Sequence, residues 1–190
     1  MGIAFDQSTQ RYLADLRETR DIEHAISVAN LSHHREQVYT AALTMLETEG
    51  SIDMKRLATA AGISRASLYR YYPDKLAVEA EVAAATARRM TEAAAPHEGL
   101  VNRLDAAMGV LIDFPAGAAS LAPVVAVSDV SVISTSVEVI VGHIAATPVI
   151  LGFAALVASA HRRGQLDEVH AMREAITKQF ALSYTAAAAG

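Results

Sequence analysis

No cysteine occurs anywhere in the 190 residues, and no tryptophan; only 5% of the chain is aromatic. Without thiols there is no disulfide framework, no zinc–thiolate site and no cysteine nucleophile, a composition that suits the reducing cytoplasm. The N-terminus MGIAFDQSTQRYLADLRE lacks a basic region followed by an apolar run, so no signal peptide is expected. Few aromatic side chains argue against a stacking cage for a planar multi-ring ligand. The catalytic signatures G-x-S-x-G, G-x-x-x-x-G-K-[ST] and H-E-x-x-H are all missing, and no enzyme activity or cofactor is expected. The histidines cluster only at His33-His34 and at His161 with Asp167 and His170, neither with double-histidine zinc spacing, so no metal site is expected.

Charge is scarce in one long stretch. Between Arg103 and Arg162 there is no Lys or Arg, while Asp105, Asp113, Asp129 and Glu138 are present. Val139–Ala160 carries no formal charge over a length sufficient to span a bilayer. His143 and the Thr147-Pro148 break speak against a span, and a buried helix pair at a dimer interface accounts for the same composition.

Positive charge is concentrated where the chain reads IDMKRLATAAGISRASLYRYYPDK. Residues 51–75 hold five basic side chains (Lys55, Arg56, Arg65, Arg70, Lys75) against Asp53 and Asp74, net +3 in a chain of net −5. Asp53 is placed to cap a first short helix with Met54, Leu57, Ala58 and Ala61 inward, and Gly62 supplies the turn. Ser64 caps a second helix that turns Leu68 and Tyr71 inward. Two short helices meeting at a glycine predict a helix-turn-helix, whose second helix enters the major groove of DNA. The competing reading is a plain helical hairpin with a solvated basic face.

Around this unit the pattern is helical throughout. Residues 1–31 carry an imperfect stripe of Leu13, Leu16, Ile22 and Ile26 with a net charge of −2, which suits a covering helix better than a DNA-binding arm. Ser32–Glu49 presents Val38, Ala41, Ala42, Met45 and Leu46 on one face and ends at Gly50. Pro73 is expected to open a linking helix through Leu76, Val78, Val82 and Ala85 to about Met90. Leu100–Phe114 reads as one helix stopped at Pro115. Leu121–Ile144 is rich in β-branched residues, yet Ser128, Ser131, Thr135, Glu138 and Gly142 share one helical stripe, so it is read as helix, broken near Ser134–Ser136. Pro148–His161 and Glu168–Ala187 come next, separated by a turn at Gly164. The fold class is therefore all-α, divided into an N-terminal extension (1–31), a three-helix head (32–78) and a helical second domain (79–190).

Residues 35–90 resemble the N-terminal domain of the tetracycline-repressor-type (TetR) transcriptional regulators. The order Gly62, Ile63, Ser64, three residues, Leu68-Tyr69, Arg70, Tyr71-Tyr72, two residues, Lys75 matches that family's motif throughout. Less than a third of the chain carries the likeness. The resemblance implies a homodimer joined by C-terminal helices, with two heads reading a palindromic double-stranded DNA operator and a second domain binding a small effector. Carried over by position, Arg65, Ser67 and Tyr69 would face base edges or nearby phosphates, with Ser64 heading the helix. Tyr71 and Lys75 would contact phosphates, and Ser51 and Lys55 would flank the backbone. For Tyr69 and Tyr71 a core role stays open, as does a solvated role for Lys55 and Arg70. The long N-terminal stretch and the short chain after Gly164 depart from the family pattern.

An apolar helical domain with a few polar groups suits a moderately sized, mostly apolar ligand. Candidates for its contacts are Asp113, Phe114, Asp129, Ser131, Thr135, Glu138, His143 and Phe153. Ser131, Thr135 and Glu138 equally suit the wet face of a helix, and His143 a core or interface position. Val149, Leu151, Phe153, Leu156, Phe180 and Leu182 offer apolar area for a dimer face. The rival expectation is a helix-turn-helix regulator controlled by a protein partner instead of a small molecule.

Overall fold

A computed structural model describes residues 33–127, 137–142 and 146–188. The chain divides into two compact units, Met1–Gln37 and Val38–Gly190. Of the first, only the helical residues 33–37 are described; the second holds all the other described residues. Every regular element among the described residues is a helix, so the expected all-α class holds. The N-terminal extension, where a covering helix was expected, lies outside the described residues.

Helix α1 (33–49) buries Val38, Ala42, Met45 and Leu46, spaced to share one face, and ends at Gly50 in the left-handed region. Helix α2 (Met54–Ala60) starts where the Asp53 carboxylate accepts the Arg56 backbone N–H at 2.8 Å. Its end is closed by two reverse bonds, Gly62 N–H to the Thr59 carbonyl and Ile63 N–H to that of Ala58, with Gly62 at φ +67°. That pairing satisfies carbonyls the helix ladder cannot reach, and its left-handed residue favours glycine. Helix α3 (Arg65–Tyr71) is capped by Ser64, whose hydroxyl accepts the Ser67 N–H at 3.0 Å.

Helix α4 (Lys75–Ala94) begins differently from the sequence expectation. Asp74, not Pro73, is the cap: its carboxylate accepts the Ala77 N–H at 2.9 Å, and Pro73 stands one residue outside the helix. A carboxylate satisfies an orphan N–H of the first turn, which proline has no side-chain acceptor to do. Over its 20 residues, about 30 Å at 1.5 Å per residue, α4 contributes to two cores. Val78 and Val82 join Val38, Leu46, Leu57, Leu68 and Tyr72 in the head. Met90 joins Leu104, Met108, Leu111, Ile150, Phe153 and Val157 in the body.

Helix α5 (Leu100–Asp113) stops as expected before Pro115, but the chain does not leave helix for long. Pro115 is the first residue of α6 (Pro115–Val127), bent by 104° from α5. Proline is tolerated there because its missing N–H is one the first turn leaves unbonded anyway. The helix expected from Leu121 thus starts six residues earlier. Residues 128–136, which hold the expected break and most of the polar stripe, lie outside the described residues. A short helical turn, α7 (137–141), ends at Gly142 with φ +85°. Helices α8 (Thr147–Arg163) and α9 (Leu166–Ala188) meet at left-handed Gly164, each slightly longer than expected.

The body is assembled around α5: α4 and α6 pack on each other and on α5, α8 lies against α5 and α6, and α9 against α5 and α8. Among the described residues no single helix is long and apolar enough to cross a membrane; α5 and the first half of α6 reach that length and apolarity only together, as a sharply bent pair. Much of that pair is core, including Leu104, Met108, Leu111 and Ala118.

Two glycines inside helices have opposite surroundings. A Cβ on Gly117 would sit 2.3 Å from Thr86 Oγ1 and 2.4 Å from Phe114 Cδ1, whereas one on Gly152 would meet none of the described residues within 4 Å. Gly117→Ala should therefore destabilise the fold by about 1–3 kcal/mol through overpacking. Within a single chain, Gly152→Ala should stabilise α8 by roughly 0.5–1 kcal/mol through helix propensity. Urea denaturation of the two variants checks the opposite signs.

Candidate nucleic-acid interface

Burying Leu68 decides which way α3 faces. Leu68 is fully inside the head core, with Tyr71 and Ile63 packed at its edge. The helical repeat then turns Arg65, Ala66, Tyr69 and Arg70 to solvent, and Tyr69 remains 50% exposed. One outward face thus carries a bidentate donor, a methyl group and a phenol, groups able to meet base edges and phosphates.

The candidate residues do not all share this face. Ser51, Lys55, Ser64, Arg65, Tyr69 and Lys75 are exposed. Ser67 is half-buried; its hydroxyl accepts that of Ser64 at 2.9 Å. Tyr71 is also half-buried, and its hydroxyl accepts the Arg70 guanidinium at 2.6 Å, with the Arg70 guanidinium carbon 4.8 Å from the ring centre. Both can present only an edge outward. Lys75 stands at the first position of α4, and Ser64 heads α3, so two helix starts lie among the candidates.

The basic patch is smaller than the formal count. Arg56 forks onto Glu49 at the end of α1, with both nitrogen–oxygen distances 2.6 Å, so its charge is met within the head. Lys55, Arg65 and Lys75 carry no salt bridge among the described residues. Ala66 and Arg70 belong to the outward face but were not among the candidate contacts. Taking Leu68 as the inward anchor and counting around the helix would have found them.

In the body, the candidate effector residues separate. Phe114 is buried in the head core, its ring under the Arg89 guanidinium at 4.1 Å, and Phe153 is buried in the body core. Asp113 and Glu138 are exposed. Asp129, Ser131, Thr135 and His143 lie outside the described residues. Phe153 is accordingly no part of an outward dimer face; among the described residues the exposed large apolar side chains of α9 are Met172, Leu182 (62% exposed) and Tyr184. Core filling wins for Phe153 because a large ring gains most from leaving water.

A groove of about 460 Å³ opens between α5 and α9, with Asn102, Asp105, His170, Arg173, Thr177 and Lys178 on its walls. Arg173 donates to both Asp105 oxygens, at 2.8 and 2.5 Å, and Thr177 donates a third bond at 3.0 Å. The Arg173 hydrogen bonds hold the Asp105 carboxyl below its ordinary range, outweighing desolvation. This pair stabilises the fold above that range and is lost as pH falls through the depressed value.

No protein-family model matches the sequence, and a search of curated proteins finds no match. Among solved structures, a TetR-like transcriptional regulator from Rhodococcus sp. RHA1 shares the fold, with a TM-score of 0.50 at 19% sequence identity, covering 78% of this chain and 96% of that one. At that identity the likeness concerns the fold alone. It extends the resemblance seen at residues 35–90 to the arrangement of most of the helices.

One turn after Lys75, Glu79 is only 3% exposed, and its Oε2 has no hydrogen-bond partner among the described residues. Burial raises its pKa above the ordinary carboxylate value, opposed by nearby Lys75 and reinforced by Asp74. The folded state therefore holds the proton more tightly, and stability declines as pH rises from the ordinary value through the raised one. Glu79→Gln should be more stable than the parent at neutral pH and should lack that decline. Thermal melts across pH 4–8 check it.

Proposed function

We propose that the chain is a sequence-specific DNA-binding transcriptional regulator, acting in the cytoplasm as a homodimeric repressor on a palindromic operator and released by a small, mostly apolar effector. The observation that carries this reading is the outward face of α3, with Arg65, Ala66, Tyr69 and Arg70 opposite buried Leu68, flanked by exposed Lys55 and Lys75. An overall acidic protein gains little from a general attraction to phosphate, so the net positive charge concentrated in residues 51–75 favours directed docking. One seven-residue helix reads few base pairs, and two-fold symmetry doubles them, with half-sites roughly 34–36 Å apart.

For the dimer, α8 and α9 supply the surface. Pro148, Gly152 and Ala155 form an exposed small-residue line on α8, beside Met172 and Leu182 of α9. Small side chains allow close helix approach, and the apolar ones supply area to bury. An effector would act by preferring one arrangement of the heads, carried by α4, which contributes to both cores; coupling of ~1–3 kcal/mol is typical.

Control by a protein partner is the second reading. It is favoured by the scattering of the candidate effector residues and by Val139, 70% exposed on α7. Thermal stabilisation by any member of a broad metabolite panel would decide for the small molecule; none, together with capture of a defined protein that shifts operator affinity, would decide for the partner.

Arg65→Ala should cost ~1–3 kcal/mol on the operator and relax preference at one base position, while Lys75→Ala should weaken all sequences alike and flatten the salt dependence. Footprinting and salt titrations separate the two; equal loss on operator and random DNA for Arg65→Ala would remove it from base reading. Gly152→Arg should give a folded monomer by sedimentation, since a side chain there meets open space among the described residues of its own chain. An unchanged dimer would move the interface off α8.

A further inference from the structure

The head is tied to the body again at a place remote in sequence from both α4 and the α5–α6 elbow. Glu47, in the last turn of α1, has one of the four terminal carbonyls that a helix cannot bond internally. His161, in the last turn of α8, places Nε2 3.0 Å from that oxygen. A carbonyl only accepts, so Nε2 carries the hydrogen. Next to it, Arg162 lays its stem over Gly50, with Cδ 2.9 Å from where a Cβ would be. Gly50 leaves room for that stem and also adopts φ +70°, which disfavours any larger residue.

Electrostatics favours the same contact. Helix α8 ends in His161, Arg162 and Arg163, and α1 ends with Glu47 and Glu49 beside its own exposed carbonyls. Basic groups at a helix C-terminus are favourable, and here one basic turn serves the ends of two helices. The contact continues into the helix-turn-helix, because Glu49 forks onto Arg56 of α2. A continuous path therefore runs from α8 through the end of α1 to α2.

We propose that His161 and Arg162 are positioning residues for the DNA-reading heads, fixing where α3 stands relative to α8 and so relative to the second copy of the chain. This role rests on the chain being a DNA-binding regulator. It makes the separation of the two recognition helices a property set by α8 at the end of α1, and not by α4 alone. Movement of α8, whether from a ligand or from the dimer contact, then reaches the head without passing along α4.

Two measurements on the full-length protein test it. Against operators whose half-site spacing is changed by one or two base pairs, the parent should show a sharp optimum. His161→Phe, which keeps a ring and loses the donor, should lose about fivefold at the optimum, the worth of one hydrogen bond, and little elsewhere; His161→Gln, which keeps a donor, should recover part of the discrimination. A loss equal at every spacing would overturn the proposal, leaving His161 a structural residue only. The second measurement needs no DNA. Because the chain has no cysteine, Thr59→Cys on α2 and Asn102→Cys on α5 can carry spin labels, with labelled chains diluted into unlabelled ones. His161→Phe should broaden the head-to-body distance distribution; Gly50→Ala, which disturbs the contact from the other side, should do the same. An unchanged distribution in both variants overturns the proposal even if the operator is bound. Failure of the parent to bind any operator would sink the regulator reading, and the distance distributions would still decide whether this contact holds the head.

Discussion

One aromatic ring ties the elbow between α5 and α6 into the core of the head. Phe114 sits at the elbow between α5 and α6, yet its ring is buried among head residues contributed by α1 to α4. Gly117 has no side chain where Thr86 and the ring come closest, and the Arg89 guanidinium covers the ring face. Removing that much apolar surface from water is worth a few kcal/mol, comparable with a large share of a domain's net stability. The elbow consequently cannot move freely while the head stays folded. A rearrangement of α5 and α6 would therefore be felt by the head.

Within the head, backbone hydrogen bonding does the orienting. Asp53, Ser64 and Asp74 each accept an N–H at the start of a helix, and Gly62 closes the end of α2. These four features fix where α2, α3 and α4 begin, and Leu57 and Leu68 then lock the two short helices together. A seven-residue helix is too short to be stable alone in water, so α3 exists because its inner face is packed. Its outer face, relieved of any structural duty, is free to carry arginine and tyrosine. The Arg70–Tyr71 contact and the Glu49–Arg56 fork show that some of the formal positive charge is nonetheless engaged within the head.

A buried carboxylate on α4 and a half-buried ion pair between α5 and α9 set the chain apart from a simple apolar bundle. Among the described residues Glu79 lacks a partner for one oxygen, on the helix that contributes to both cores, whereas Asp105 is saturated by Arg173 and Thr177. The two carboxylates are pushed in opposite directions for that reason: one loses water without replacement, the other exchanges it for three donors. The ion pair joins α5 to α9, while α4 keeps a locally unfavourable group beside the head.

Local chemistry was readable from the residues in order. The caps at Asp53 and Ser64, the left-handed glycines at 50, 62 and 164, and the apolar spacing of α1 and α4 depend on neighbours within a few positions, and all appear in the structure. Side chains whose role depends on distant partners were not readable. Phe114 and Phe153 looked equally available to a ligand, but each fills a core that only the packed helices create. Pro115 looked like a stop and proved to be a corner, since the 104° bend is imposed by what α5 and α6 must each cover. His161 and Glu47 lie 114 positions apart, and nothing in either segment names the other. Helix periodicity and capping are short-range and therefore written along the chain; burial, pairing and the join between head and body are decided by which surfaces meet when the helices pack.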